Sequence, residues 1–120
     1  MCTGTRGGSL LIVESHKGTD GVVQLAVTGE IDMVTVGDLR AVFPGALTDD
    51  DVTGVVVDFA GVTFCDSSGI RALDEAYATA AQHGVWFRLV NLRPSVRRVF
   101  ELVGVLEALT RPAPGPDQQS

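Results

Sequence analysis

The run Cys65-Asp66-Ser67-Ser68 sets a thiol, a carboxylate and two hydroxyls side by side, with Gly69 directly after them. It falls where an apolar segment gives way to a helical pattern, the kind of junction at which ligands and reactive groups collect in open α/β sheets. A helix start leaves several backbone N–H groups without intrahelical partners, and the helix dipole favours negative charge there. A phosphate on Ser67 or Ser68 would therefore meet ready donors. The same residues also read as an ordinary cap, since Asp and Ser are preferred N-cap residues and Gly69 permits close packing. Hydrolytic chemistry fits poorly. The residues around Ser67 do not form the Gly-x-Ser-x-Gly elbow, and the two histidines are His16, in an early turn, and His83. A helix from Ser67 to His83 would span roughly 24 Å at about 1.5 Å per residue, so His83 cannot act as base for Ser67 within one subunit. The chain reads as a protein without catalysis of its own.

The elements that must position this run follow from changes in periodicity. Leu10 to Glu14 and Val22 to Thr28 are β-branched and apolar around Gly18, Asp20 and Gly21, which predicts a hairpin-like strand pair. Asp32 to Leu47 carries Val36, Leu39, Val42 and Phe43 at helical spacing, with Pro44 expected to kink or end the helix near Phe43. Asp49-Asp50-Asp51 reads as a solvated linker. Gly54 to Ala60 is a near-continuous apolar run of the kind buried on both faces of a parallel sheet. After the Asp66-Ser67-Ser68-Gly69 turn comes a helix whose inner face is Ile70, Leu73, Tyr77, Ala80 and Ala81, closed by Gly84. Val85 to Val90 is the next strand. Pro94 opens a last helix, lined by Val96, Val99, Phe100 and Val103 and stopped by Gly104; residues 105–110 are expected to add a short edge strand. The order predicts an α/β fold, a mixed sheet of four to five strands with helices packed on one side.

Bulk properties narrow the function classes. One domain accounts for 120 residues, of which 45% are hydrophobic and 20% charged. The formal net charge of -6 repels phosphate backbones, which argues against direct nucleic-acid binding. The apolar runs are too short to span a membrane, and Met1 to Ser9 lacks the features of a signal peptide. Cys2 and Cys65 form neither a metal-ligand spacing nor a disulfide framework, so reduced thiols in a cytoplasmic protein are expected. No metal or cofactor is anticipated. Residues 1–8 and the Pro-rich residues 111–120 read as flexible tails around a single domain at 9–110.

The serine turn has two companions. Thr28-Gly29-Glu30-Ile31-Asp32 ends the second strand, and Pro94-Ser95-Val96-Arg97-Arg98-Val99-Phe100 opens the last helix. Together the three, in this order and at these spacings, resemble the STAS domains, and specifically the sporulation- and stress-type anti-sigma factor antagonists. The resemblance covers the chain from Leu10 to about Thr110. It implies that Ser67 is the phosphoacceptor, that Ser68 supports the turn, and that Asp32 lies near the modified serine. The implied partner-binding set is Glu30, Asp32, Asp66, Ser67, Ser68 and Gly69. The implied partners are an anti-sigma factor with serine kinase activity and a serine phosphatase of the metal-dependent class, with the protein itself a monomer or weak dimer. Two other roles are compatible with the signature: sensing a small ligand such as a nucleotide or lipid, and scaffolding a signalling complex. The chain has no Gly-x-x-x-x-Gly-Lys loop to cradle a nucleotide's phosphates.

Three features depart from the family pattern or stand outside it. Arg71 lies one helical turn after Ser67, where many sporulation-type members carry a small residue; it is a candidate phosphate clamp, or else a surface cation paired with Asp74 or Glu75. Cys65 reads as a small buried hydrophobe, with a redox role as the sharper alternative. Arg97 and Arg98, inside the third motif, read as the polar face of their helix, with a site for an anionic partner patch as the sharper alternative. After Thr110, where the family often continues into a final helix, only the Pro-rich end remains.

Overall fold

The computed structural model describes residues 11–104 and residue 109. Strand β1 (Leu11–Lys17) turns back into β2 (Val22–Ile31). The turn is tied by Gly18 N donating to Val22 O at 2.9 Å, and Gly21 takes φ 84°, a conformation open to glycine at little cost. Strand β3 (Gly54–Cys65) lies parallel to β2, and β4 (Trp86–Val90) parallel to β3. The sheet order is β1-β2-β3-β4, with only the first pair antiparallel.

Alternation along the strands separates an inner from an outer face. Val23, Leu25 and Val27 of β2 are buried, while Gln24, Ala26 and Thr28 between them are exposed. The same holds for β3, where Val55, Val57 and Phe59 are buried, Val56 and Asp58 are half-buried and Ala60 is exposed. The expectation of a strand buried on both faces is thus corrected. The helices cover one face only, so the outward residues of β3 have no second layer to pack against. Two register shifts against β2, between Ala26 and Thr28 and between Gly29 and Glu30, give β3 an extra residue each time. Through them the strand runs on to Cys65 rather than ending at Ala60.

The helical pattern over Asp32–Leu47, expected to kink or end near Phe43, forms two short helices, α1 (Val36–Arg40) and α2 (Phe43–Leu47), preceded by a turn at Asp32–Thr35. Pro44 is the cause. In a continuous helix its ring would clash with the carbonyl of Arg40, whereas at the second position of α2 its missing N–H removes no bond. Helix α3 (Ser67–Gln82) buries Ile70, Leu73, Ala76 and Ala80 together with Ala72; Ala81, expected on this face, is exposed. Helix α4 (Pro94–Val103) buries Val96 and Phe100, but Val103 points outward. Of the expected edge strand, residues 105–108 and 110 lie outside the described residues, and Leu109 is helical and buried. The two terminal tails also lie outside them.

Three edge-to-face aromatic pairs tie the helices to the sheet: Phe43 with Phe87, Tyr77 with Phe87, and Phe59 with Phe100 at a centroid distance of 6.1 Å. Among the described residues no helix is long and apolar enough to cross a membrane. Phe59 and Phe100 are both fully buried. Phe100→Ala should cost about 3–5 kcal/mol, read as a lower urea midpoint with an unchanged slope. A loss under about 1 kcal/mol would mean that α4 is not part of the core.

Candidate functional site

Parallel pairing of β2 and β3 brings two of the three sequence motifs to one edge of the sheet. Ile31 lies opposite Cys65, and the Asp66 amide donates to the Ile31 carbonyl at 3.1 Å, the last link before the two chains part. Beyond it, β2 enters the Asp32–Thr35 turn and β3 enters α3. Gly69 makes the join possible. A Cβ there would sit 2.6 Å from both Cys65 Sγ and Ile31 Cγ2, so only glycine lets the first turn of α3 rest on the strand ends.

Asp66 is the N-cap of α3. Its Oδ1 accepts from the Ser68 amide at 2.9 Å and the Gly69 amide at 3.4 Å, and from the Ser68 hydroxyl. The amides expected to await a phosphate are therefore already occupied by the Asp66 carboxylate. Ser68 is tied inward by the same contact. Ser67, one residue earlier, is exposed, and its hydroxyl has no hydrogen-bond partner among the described residues. The two adjacent serines thus differ in availability.

Asp32 is equally occupied. Its Oδ1 accepts from the amides of Val34 and Thr35 at 2.9 and 3.0 Å and lies 3.3 Å from the Thr35 hydroxyl. Thr35, which sequence reasoning passed over, is a fully buried polar residue whose hydroxyl donates to Glu30 O at 2.7 Å. The spacing Asp-x-x-Thr ahead of a helix is the signal that could have found it, because a hydroxyl three residues on can close the turn reciprocally. Glu30 is exposed and lies opposite Phe64 in the sheet register. Around the exposed Ser67 edge, Met33 is 81%, Val34 64% and Phe64 48% exposed, an apolar set that no sequence motif marked.

Arg71 is exposed and makes no ion pair among the described residues. Glu75, one of its expected partners, is instead bound by Arg40 from α1. Arg97 pairs with Glu101 at 3.6 Å along α4. Cys65 is buried, and burial, reinforced by the neighbouring Asp66 charge, pushes its thiol up to about 12. That chemistry suits a packing residue rather than a reactive thiol. Among the described residues, two clefts lie away from the serine edge. One, of about 230 Å³, runs between α2 and α3 over Phe43, Leu47 and Ala76; the other, of about 320 Å³, is bordered by Lys17, Val42 and Asp49. They fall below or at the bottom of the size range of small-molecule sites. No group of His, Cys, Asp and Glu among the described residues could hold a metal ion.

The chain resembles known proteins in both sequence and structure. The family model described as the STAS domain matches residues 15–114. The anti-sigma-F factor antagonist RsfB of Mycobacterium tuberculosis is 31% identical over 86 residues, covering 72% of this chain and 69% of that protein. The crystal structure of an anti-sigma factor antagonist from Mycobacterium paratuberculosis superposes with a TM-score of 0.75 at 29% identity, over 90% of this chain and 89% of the other. SpoIIAA from Bacillus, in its phosphorylated form, superposes with a TM-score of 0.64 at 26% identity, over 88% of this chain and 95% of its own.

The buried thiol makes a prediction with a definite sign. Its folded value lies above the ordinary 9.0, so the unfolded chain releases the Cys65 proton first as pH rises. The stability Cys65 contributes is intact below about pH 9 and is lost as pH climbs toward 12. The advantage of wild type over Cys65→Ala in denaturant melts should shrink across that window. A difference that stays constant would show that the thiol titrates alike in both states.

Proposed function

The chain belongs to the STAS-domain family of anti-sigma factor antagonists, and on that premise we propose that it binds an anti-sigma factor with serine kinase activity while Ser67 is unmodified, and releases it once Ser67 is phosphorylated. Binding the anti-sigma factor frees a sigma factor for transcription, and a serine phosphatase of the metal-dependent class resets the cycle. The role is a cytoplasmic, non-catalytic one. The observation that carries the reading is the contrast between the two serines: Ser67 offers an exposed hydroxyl without a partner among the described residues, while Ser68 is bound to Asp66.

The physics of the switch follows from that geometry. A phosphate adds about -1.5 to -2 charges at neutral pH. Asp66 already holds the Ser68 and Gly69 amides, so the dianion on Ser67 stays at the surface beside a carboxylate. A partner surface fitted to a neutral hydroxyl then meets added bulk and charge, and binding fails without a rearrangement of the fold. Arg71, one turn along the same face of α3 and free of ion pairs among the described residues, is the group suited to pair with the phosphate.

Incubation with purified anti-sigma factor kinases and ATP should add a single phosphate, mapped by mass spectrometry to Ser67 and absent in Ser67→Ala. Ser67→Asp should bind the same partner at least about 10-fold more weakly, a loss of the size expected for one unfavourable buried charge contact. If no kinase modifies the protein and Ser67→Asp binds like wild type, the switch does not exist. The Arg71 contact has its own readout. A cation beside phosphoserine favours the dianion, so Arg71→Gln should raise the second phosphate pKa followed by phosphorus NMR. Identical titrations in the two proteins would remove Arg71 from the switch.

A further inference from the structure

The Asp32–Thr35 turn carries two large apolar side chains into solvent, Met33 at 81% and Val34 at 64% exposure. Neither packs on the core, so the fold gains little burial from them. The backbone beneath them is nevertheless held firmly. Asp32 Oδ1 accepts from Val34 N and Thr35 N, the Asp32 amide donates to Thr35 Oγ1 at 3.0 Å, and Val36 N donates to Asp32 O at 2.8 Å. The Thr35 hydroxyl, donating to Glu30 O, fastens the turn to the end of β2 from a fully buried position. A turn fixed from below that displays apolar side chains above has already met the ordering cost of binding. Met is among the residue types enriched at the buried centre of protein interfaces, and Val34 extends the apolar surface beside it.

We propose that Met33 and Val34, locked in place by Asp32 and Thr35, form an apolar anchor that inserts into a pocket on the partner protein, a pocket rimmed by Lys and Arg. The rim chemistry follows from the surroundings. Glu30 and Asp38 flank the anchor as exposed carboxylates, Arg40 is engaged by Glu75, and the whole chain carries a formal net charge of -6. A second copy of this chain is a poorer occupant, because a two-fold contact would bring the same carboxylates face to face. Asp32 and Thr35 are positioning residues in this arrangement; the contact itself falls to Met33 and Val34. The inference rests on the functional reading above and gives the partner surface a chemistry.

The test uses the full chain and a panel of purified anti-sigma factor kinases encoded in the source genome. A Met33→Ser, Val34→Ser double variant should keep the wild-type melting temperature, since both side chains are exposed, and bind the partner of the wild type about 10-fold or more weakly. Thr35→Val should weaken binding and speed hydrogen exchange at the Val34 and Thr35 amides, and Thr35→Ser should restore both. Added salt should weaken wild type more than Glu30→Lys. Equal affinity of the double variant and wild type would overturn the anchor and leave the Ser67 reading standing. Self-association of wild type that the double variant abolishes would make the occupant a second copy, which also overturns the proposal. If no kinase in the panel binds wild type, the functional reading falls and the proposed partner class falls with it.

Discussion

The parallel registration of Ile31 against Cys65 is the constraint on which the functional edge depends. Two strand ends lie one hydrogen bond apart, joined by Asp66 N and Ile31 O. Everything chemically notable then radiates from that link. On one side, the Asp32 carboxylate closes the turn that follows β2; on the other, the Asp66 carboxylate caps the helix that follows β3. The absence of a side chain at Gly69 is what allows the helix start to settle against Ile31 and Cys65. The two aspartates act alike, as acceptors that organise local backbone, and this leaves the neighbouring Ser67, Met33 and Val34 as the groups turned to solvent.

Behind this edge the fold is a one-layer device. The helices cover the inner face of the sheet, and aromatic pairs from α2, α3 and α4 reach β3 and β4. The two register shifts in β3 lie close to the functional end, where they let a long strand keep Val62 and Cys65 inward while Phe64 is turned out. A rigid core thereby ends in an edge whose apolar and polar groups are separately aimed. A switch by surface charge suits such a scaffold, because adding a phosphate to an exposed hydroxyl asks nothing of the packed layer beneath it.

Much of this was legible in the sequence where local rules suffice. Pro94 and Gly104 bracket α4, Gly84 follows α3, and Asp66 before two serines and a glycine marks a helix start, all through backbone preferences that need no tertiary partner. Local rules failed where the deciding contact came from elsewhere. The apolar run of β3 gave no hint that one face would stay uncovered, since a one-sided and a two-sided strand can share a composition. The break in the Asp32–Leu47 pattern, by contrast, was legible, because Pro44 imposes it through a clash with a carbonyl one turn back. Thr35 differs from the chain's other threonines only through the fold, which buries its hydroxyl against Glu30 O.

The sequence alone determined the succession of strand and helical segments from β1 to α4, the negative net charge, and three motifs whose spacing identifies the STAS pattern. These are properties of residue type and separation along the chain. The resemblance implied that Asp32 lies near Ser67, but only the tertiary structure supplied the contacts: the link from Asp66 N to Ile31 O, the Ser68 hydroxyl on Asp66 while that of Ser67 has no partner among the described residues, and Glu75 held by Arg40. The physical reason is that hydrogen bonds and ion pairs are exclusive. Which acceptor a hydroxyl, amide or guanidinium takes depends on what the fold carries within about 3 Å of it, and that neighbour often comes from a distant part of the chain.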